Sequence, residues 1–426
     1  MLNRTHQPPV KPISNISLPE IEKNSLGNGI PMHLIKDDKQ DVVRIDFMFA
    51  GGVWHQSKSL IAFMTNQMLK EGTVNLSSQQ IAEKLDYYGS WLQLSASYHY
   101  SYLTVYSLSK YVSETLAVVE EMLEQPLFPQ TEFEVLLNKR KQQYLLDEQK
   151  VQSLASKKFS LCVYGPNHPN GKTASKEDFD KITTTDLRDF YHNYYGSRNM
   201  QIVLAGKIDE GLLSTLESLF GKEHVGKEQL PKEPQFEIQS DKEKFHFIPK
   251  ADSVQSAIKV GRVGLQHNHA DFHPMKVVTS ILGGYFGSRL MTNIREEKGY
   301  TYGIGASLSA SRDGGTFCIS TETATAYVQP LIKELYKEME LLCNQTVGEE
   351  ELQMVKNFML GDAVRLFDGT FSIADILISL IANDLDISFY EKQIQTIRNI
   401  TPQKIQTLAQ KYFVKEEFYE IIAGKK

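Results

Sequence analysis

The apolar positions of this chain mark out short strands and longer helices whose order occurs twice. Val42 to Phe49 (VVRIDFMF) alternates in part, stops at Gly51-Gly52 and reads as a strand. From Leu60 the residues Ile61, Met64, Met68 and Leu69 recur at helical spacing as far as Gly72. A second helix is predicted up to about Tyr87, capped by Ser77 or Ser78. Trp91 to Ser97 and Tyr102 to Leu108 predict an aromatic-rich hairpin that turns at Tyr98-His99-Tyr100. Helices follow over Ser113 to Glu124 and Glu132 to Glu148, separated by Pro126 and Pro129. A further helical stretch leads to the turn-forming run YGPNHPNG (Tyr164 to Gly171), then a helix from Thr185 and a strand from Met200 to Ala205.

Gly221 to Lys244 breaks the pattern. It is charged, carries Pro231 and Pro234, and shows no periodicity, so it reads as a linker. Beyond it the motifs return. Ile182-Thr183, Tyr194, Ala205, Gly206 and Lys207 recur as Ile400-Thr401, Tyr412, Ala423, Gly424 and Lys425, at a constant offset of 218 residues. Gly89, Ala96 and Ser97 recur as Gly299, Ala306 and Ser307 at an offset of 210. Two matches in the same order predict two homologous α+β halves. The expected organisation is an extended arm over 1–20, a first half over 21–222, a linker over 223–240 and a second half over 241–426.

Composition narrows the function. The 426 residues are 41% hydrophobic, enough for sizeable cores, and the net charge is −6 with both signs interspersed. No basic surface suited to nucleic acid is encoded. Cys162, Cys318 and Cys343 are far apart and odd in number, as expected of reduced, buried apolar residues. The N-terminal residues lack the apolar core of a signal peptide, and no apolar run is long enough to span a bilayer. A soluble, cytoplasmic protein is expected, without a membrane partner.

The most informative stretch is Leu282 to Ala306 (LGGYFGSRLMTNIREEKGYTYGIGA). Phe286, Leu290 and Ile294 recur at a spacing of four, Gly299 breaks the helix, and alternation resumes from Tyr300. Arg295 and Tyr302 bracket the glycine. Both are hydrogen-bond donors suited to a carbonyl or a developing oxyanion. At the offset of 210 the first half has Leu85 and Leu92 in their places, so the polar pair belongs to one half alone. His267, His269 and His273 in HNHADFH read as a polar connecting loop before a helix that follows Pro274. Gly283, Gly284 and Gly287 do not match a nucleotide-binding glycine pattern.

With KEGT (Lys70 to Thr73), QPLFPQTEFE (Gln125 to Glu134), YGPNHPNG, ITTTDLRDFYHNYY (Ile182 to Tyr195) and LGGYFGSRLMTNIREEKGYTYG, the chain resembles the pitrilysin/insulinase-type zinc peptidases, which include the mitochondrial processing peptidases. The resemblance implies a clamshell of two α+β halves, each a mostly antiparallel sheet packed with helices. It also implies a zinc motif H-x-x-E-H in the first half, completed by an arginine and a tyrosine from the second. By position those two are Arg295 and Tyr302. The inverted motif falls instead on Phe63-Met64-Thr65-Asn66-Gln67, and the later acidic ligand falls on Gln143, or with a shift on Asp147 or Glu148. Phenylalanine cannot bind zinc, asparagine has no carboxylate to activate water, and glutamine is a poor ligand. The expectation is a chain without metal that supplies Arg295 and Tyr302 to a homologous, zinc-binding partner acting on unstructured peptides. A non-proteolytic scaffold subunit, of the kind this family contributes to respiratory complexes, is the alternative.

Overall fold

The computed structural model describes residues 13, 16, 18–222, 224, 226, 227 and 231–425. The arm expected over 1–20 therefore lies mostly outside the described residues, and part of 223–240 lies outside them as well. The first half runs β1 (Glu22–Ser25), β2 (Pro31–Lys36), β3 (Val42–Phe49), α1 (Ile61–Met68), α2 (Ser78–Tyr87), β4 (Trp91–Ala96) and β5 (Ser101–Leu108). It continues through α3 (Val112–Glu124), α4 (Gln130–Asp147), α5 (Val151–Tyr164), α6 (Thr184–Tyr194), β6 (Met200–Gly206) and α7 (Glu210–Phe220). The second half runs β7 (Phe245–Pro249), β8 (Gln255–Val263), α8 (Phe272–Thr279), β9 (Ile304–Ser311), β10 (Gly314–Ala324) and α9 (Val328–Asn344). After these come α10 (Glu349–Leu366), α11 (Thr370–Ala382), α12 (Ser388–Asn399), α13 (Pro402–Tyr412) and β11 (Tyr419–Gly424).

The two halves share one topology. The first sheet is ordered β1-β2-β6-β3-β5-β4 and the second β7-β11-β8-β10-β9. Apart from β1 the orders correspond strand for strand, and each includes a parallel pair at the matching place, β2 with β6 and β7 with β11. The repeat read from the sequence reaches down to the backbone. Thr183 and Thr401 both cap their helices by accepting from the amide three residues on, at Asp186 and Lys404. Gly206 and Gly424 end their strands with φ of 110° and 143°, and Gly89 and Gly299 follow their helices with φ of 63° and 64°. A Cβ at Gly206 or Gly424 would strike Val42 or Ser256, and the left-handed φ at Gly89 and Gly299 strains most residues that carry one, so glycine marks these positions in both halves.

β3 alternates only in part because it is covered on both faces. Val43, Ile45, Phe47 and Phe49 pack into the core beneath α1, α3, α6 and α7. Met48, on the opposite face, packs with Val203 and Ala205 against Ala374 and Leu377 of α11. That face also buries charge. Arg44 makes two hydrogen bonds to Asp46 (2.8 and 3.1 Å) and reaches Asp375 at 2.7 Å and the Phe371 carbonyl at 3.1 Å, both on α11. The Thr104 hydroxyl donates to Asp46 at 2.6 Å. In the same way α5, encoded in the first half, packs on β11.

Packing therefore groups the chain differently from the linear repeat. One compact unit joins Glu20–Lys259 with Gly369–Asp384 and the residues from Tyr419, and the other joins Val260–Asp368 with Leu385–Phe418.

Several boundaries differ from the periodicity. α1 ends at Met68, four residues before Gly72, which has φ of 134°. The helix after the histidines starts at Phe272 rather than beyond Pro274. The proline falls in its first turn, where its missing N–H has no helical partner to lose. Met291–Glu297 is a π-helical turn, and Phe286 lies 62% exposed, so only Leu290 and Ile294 of the expected stripe reach the core. β9 begins at Ile304, not Tyr300. The intervening residues are held by the Tyr300 amide on the Ile294 carbonyl (3.0 Å) and the Thr301 hydroxyl on the Glu322 carbonyl (2.6 Å). The Thr323 hydroxyl on the Tyr300 carbonyl (2.5 Å) completes this set.

Candidate functional site

The positions of the inverted motif lie on α1, and their side chains have been put to other uses. Asn66 is fully buried; its Nδ2 donates to the Tyr102 carbonyl (3.1 Å) and the Tyr195 hydroxyl (3.2 Å), fastening α1 to β5 and the end of α6. Gln67 donates from Nε2 to the Leu94 carbonyl on β4 at 2.8 Å. Phe63 lies under the guanidinium of Arg140, 4.9 Å from its ring centre. Gln143, one turn further along α4, donates to Asp147 at 3.1 Å.

Phe63, Gln67 and Gln143 line one cleft of about 510 Å³, whereas Asn66 points away from it into the sheet. The acidic substitutes are absent from its lining: Asp147 pairs with Lys150 at 2.8 Å, and Glu148 pairs with Lys157. The cleft wall instead carries Lys70, Lys139 and Arg140 against Glu71 and Glu132. A cation stands over the lost first ligand, with no His or Asp beside it. With no His or Cys in the lining, and with Glu71 and Glu132 set among three cations, that donor set does not fit zinc. Arg140 was missed in the sequence, although its spacing of four from Leu136 and three from Gln143 puts the three on one helical face.

In the second half the structure brings Arg295 and Tyr302 together. Nε of Arg295 donates to the Tyr302 carbonyl at 2.8 Å, across the turn made by Gly299. Its guanidinium lies 4.6 Å from the Phe286 ring centre and 5.8 Å from that of Tyr302, and Glu296 stands 3.8 Å from Nη1. The helix beneath is anchored: Asn293 donates to Glu338 at 2.6 Å, and Arg289 makes paired bonds to Glu351 at 2.8 and 2.9 Å. Tyr302 itself is 91% exposed. A held guanidinium beside an open phenol can present two donors to one acceptor. By contrast Leu85 is core and Leu92 packs against it.

The histidines divide. His267 and His269 precede α8, and His269 accepts from the Asp271 amide at 3.0 Å, whereas His273 is buried in the first turn of α8. Burial and then nearby Lys276 push the His273 imidazole down to about 4, so it packs neutral against Phe389. The cysteines form no disulfide, with Cys162 and Cys318 buried and Cys343 half-buried. Cys162 departs from an apolar setting, because Asp241 and His246 flank it.

Comparison with known proteins gives the same family from both halves. The family model described as insulinase (peptidase family M16) matches residues 32–160, and that of the peptidase M16 inactive domain matches residues 181–359. An uncharacterized zinc protease YmxG of Bacillus subtilis is 24% identical over 83% of this chain and 86% of its own. A non-peptidase homolog YmxG of Helicobacter pylori is also 24% identical, over 90% and 89%. Among solved structures, a protease from Helicobacter pylori has the same fold, with a TM-score of 0.86, 16% identity, and coverage of 96% of this chain and all of that one. The chain belongs to the M16 peptidase family, the insulinase or pitrilysin type, as a member without the metal-binding motif.

Proposed function

We propose that this chain is the subunit of a two-chain M16 peptidase that carries no catalytic zinc, lending Arg295 and Tyr302 to the active site of a homologous partner. The observation that carries this reading is the unequal fate of the two half-sites. On α1 the ligand positions serve packing, and a guanidinium stands over Phe63. In the second half Arg295 and Tyr302 remain adjacent, on a braced turn, with the phenol open. The partner would hold Zn²⁺ and activate water. Arg295 and Tyr302 would orient the carbonyl of an unstructured peptide and stabilise the oxyanion that forms on it. Cysteines outside any disulfide fit a reducing cytoplasm, and no described helix is long and apolar enough to cross a membrane.

A second reading, a scaffold without proteolytic work, is favoured by one relative, the Helicobacter homolog described as a non-peptidase. The experiment that decides between them is reconstitution with an M16 homologue that has an intact H-x-x-E-H, assayed on an unfolded peptide. Arg295→Ala or Tyr302→Phe is expected to lower kcat roughly a hundred- to a thousandfold, with complex formation unchanged. Full activity of both variants in an active pair would leave only the scaffold reading.

A further inference from the structure

After the linker, residues 239–246 run back along the end of α5 and build a polar cluster there. The amides of Gln239 and Asp241 donate to the carbonyls of Tyr164 (3.1 Å) and Cys162 (2.8 Å), and the Ser240 hydroxyl donates to that of Val163 at 2.7 Å. The Tyr419 hydroxyl, from β11, donates to the Asp241 carbonyl at 2.7 Å. With its backbone fixed in this way, Asp241 sets Oδ2 3.9 Å from the Cys162 sulfur and 3.6 Å from His246 Nε2. Sulfur, carboxylate oxygen and ring nitrogen all lie within 4.8 Å of one another. Cys162 and His246 are buried, and Asp241 is partly open to solvent.

Tetrahedral zinc, with bonds of about 2.0–2.3 Å, holds sulfur, nitrogen and oxygen donors roughly 3.3–3.6 Å apart. The triangle reaches that size by closing about 1 Å. A partner for the imidazole is also in place, since the Glu243 carboxylate stands 4.0 Å from Nδ1, the nitrogen facing away from Asp241.

We propose that Cys162, Asp241 and His246 form a zinc site, with water in the fourth position, separate from the lost motif on α1 and independent of any partner chain. A thiolate and a carboxylate neutralise the dication. The Cys162 thiol, pushed up to about 11 chiefly by burial, keeps its proton without metal, so each ion bound releases one proton. Nε2 of His246, now 3.0 Å from the Glu243 carbonyl, turns to the ion, which leaves an Nδ1–H to face the Glu243 carboxylate. Lys158, the cation beside the thiol, withdraws as the dication enters. The ion ties the end of α5 to β7 and the segment leading into it.

The test is metal loading of the reduced, tag-free full chain with Zn²⁺ or Co²⁺, followed by dialysis and metal analysis. One ion per chain is expected, with a thiolate-to-cobalt charge-transfer band for the Co²⁺ form. Cys162→Ser, Asp241→Asn and His246→Ala should each abolish stoichiometric binding, Glu243→Gln should weaken it roughly 10- to 100-fold, and Gln67→Ala should leave it unchanged. Circular dichroism identifies the variants that remain folded, and Asp241→Asn changes least in shape. Substoichiometric metal in the parent chain, or one ion retained by all three ligand variants, overturns the proposal.

Discussion

Single residues settle what α1 can no longer do. Restoring the motif by Phe63→His, Asn66→Glu and Gln67→His would bring a carboxylate against the Tyr102 carbonyl and leave Arg140 over the first ligand. In a Cys162→Ser background, which removes the cluster on α5, this triple variant is expected to hold no stoichiometric zinc; one ion per chain by metal analysis would refute it. His273 makes a second prediction. Its folded value near 4 is below the ordinary 6.5, so below pH 6.5 the unfolded chain takes up a proton that the folded chain resists. Stability is complete above pH 6.5 and drains away as pH falls toward 4, by on the order of 3 kcal/mol. The charged or titratable groups facing it are Lys276, His267 and Lys392, and burial lowers His267 in the same direction. Urea unfolding of His273→Leu should show a flatter loss between pH 7 and 4.5 than the parent chain; an unchanged slope would count against it.

At the scale of elements, α11 shows how one helix depends on a buried pair. Asp46 is fully buried, and Arg44 is the basic partner holding it. Arg44→Ala strands that carboxylate and should cost about 3–5 kcal/mol in chemical denaturation. Asp375 meets the same guanidinium with its side chain 70% exposed, and Asp375→Ala should cost under about 1 kcal/mol. Equal losses would mean that the exposed contact on α11, rather than the internal pair, carries the energy. The helices and hairpins themselves were legible because their caps and turns are local. Ser77 caps α2, with Gln80 returning the bond to its amide, and Thr183 caps α6. The start of β9 was not legible. Hydroxyls of Thr301 and Thr323 replace the ladder around Tyr300, and nothing in the alternation announces that exchange.

For the whole molecule, the repeat does not yield two self-sufficient pieces. Ile35, Met48, Val203 and Ala205 of the first sheet are covered by Ala374 and Leu377, more than 160 residues away in sequence. A fragment of residues 21–222 should therefore bind a hydrophobic dye and aggregate, and co-expression with residues 241–426 should suppress both. A soluble, dye-silent fragment would show that α11 is dispensable. The sequence alone determined the family, the doubled α+β topology, the absence of zinc ligands on α1 and the confinement of Arg295 and Tyr302 to one half. The family rests on the resemblance carried by motifs such as LGGYFGSRLMTNIREEKGYTYG, the repeat on periodicity and on glycine and threonine at fixed offsets, and the missing ligands on residue chemistry, all of which are local. Only the tertiary structure decided which face of each sheet receives α5 or α11, that Arg140 stands over Phe63, and that Cys162 meets Asp241 and His246. Such contacts join residues far apart along the chain, where burial and packing select the partners and no spacing records them.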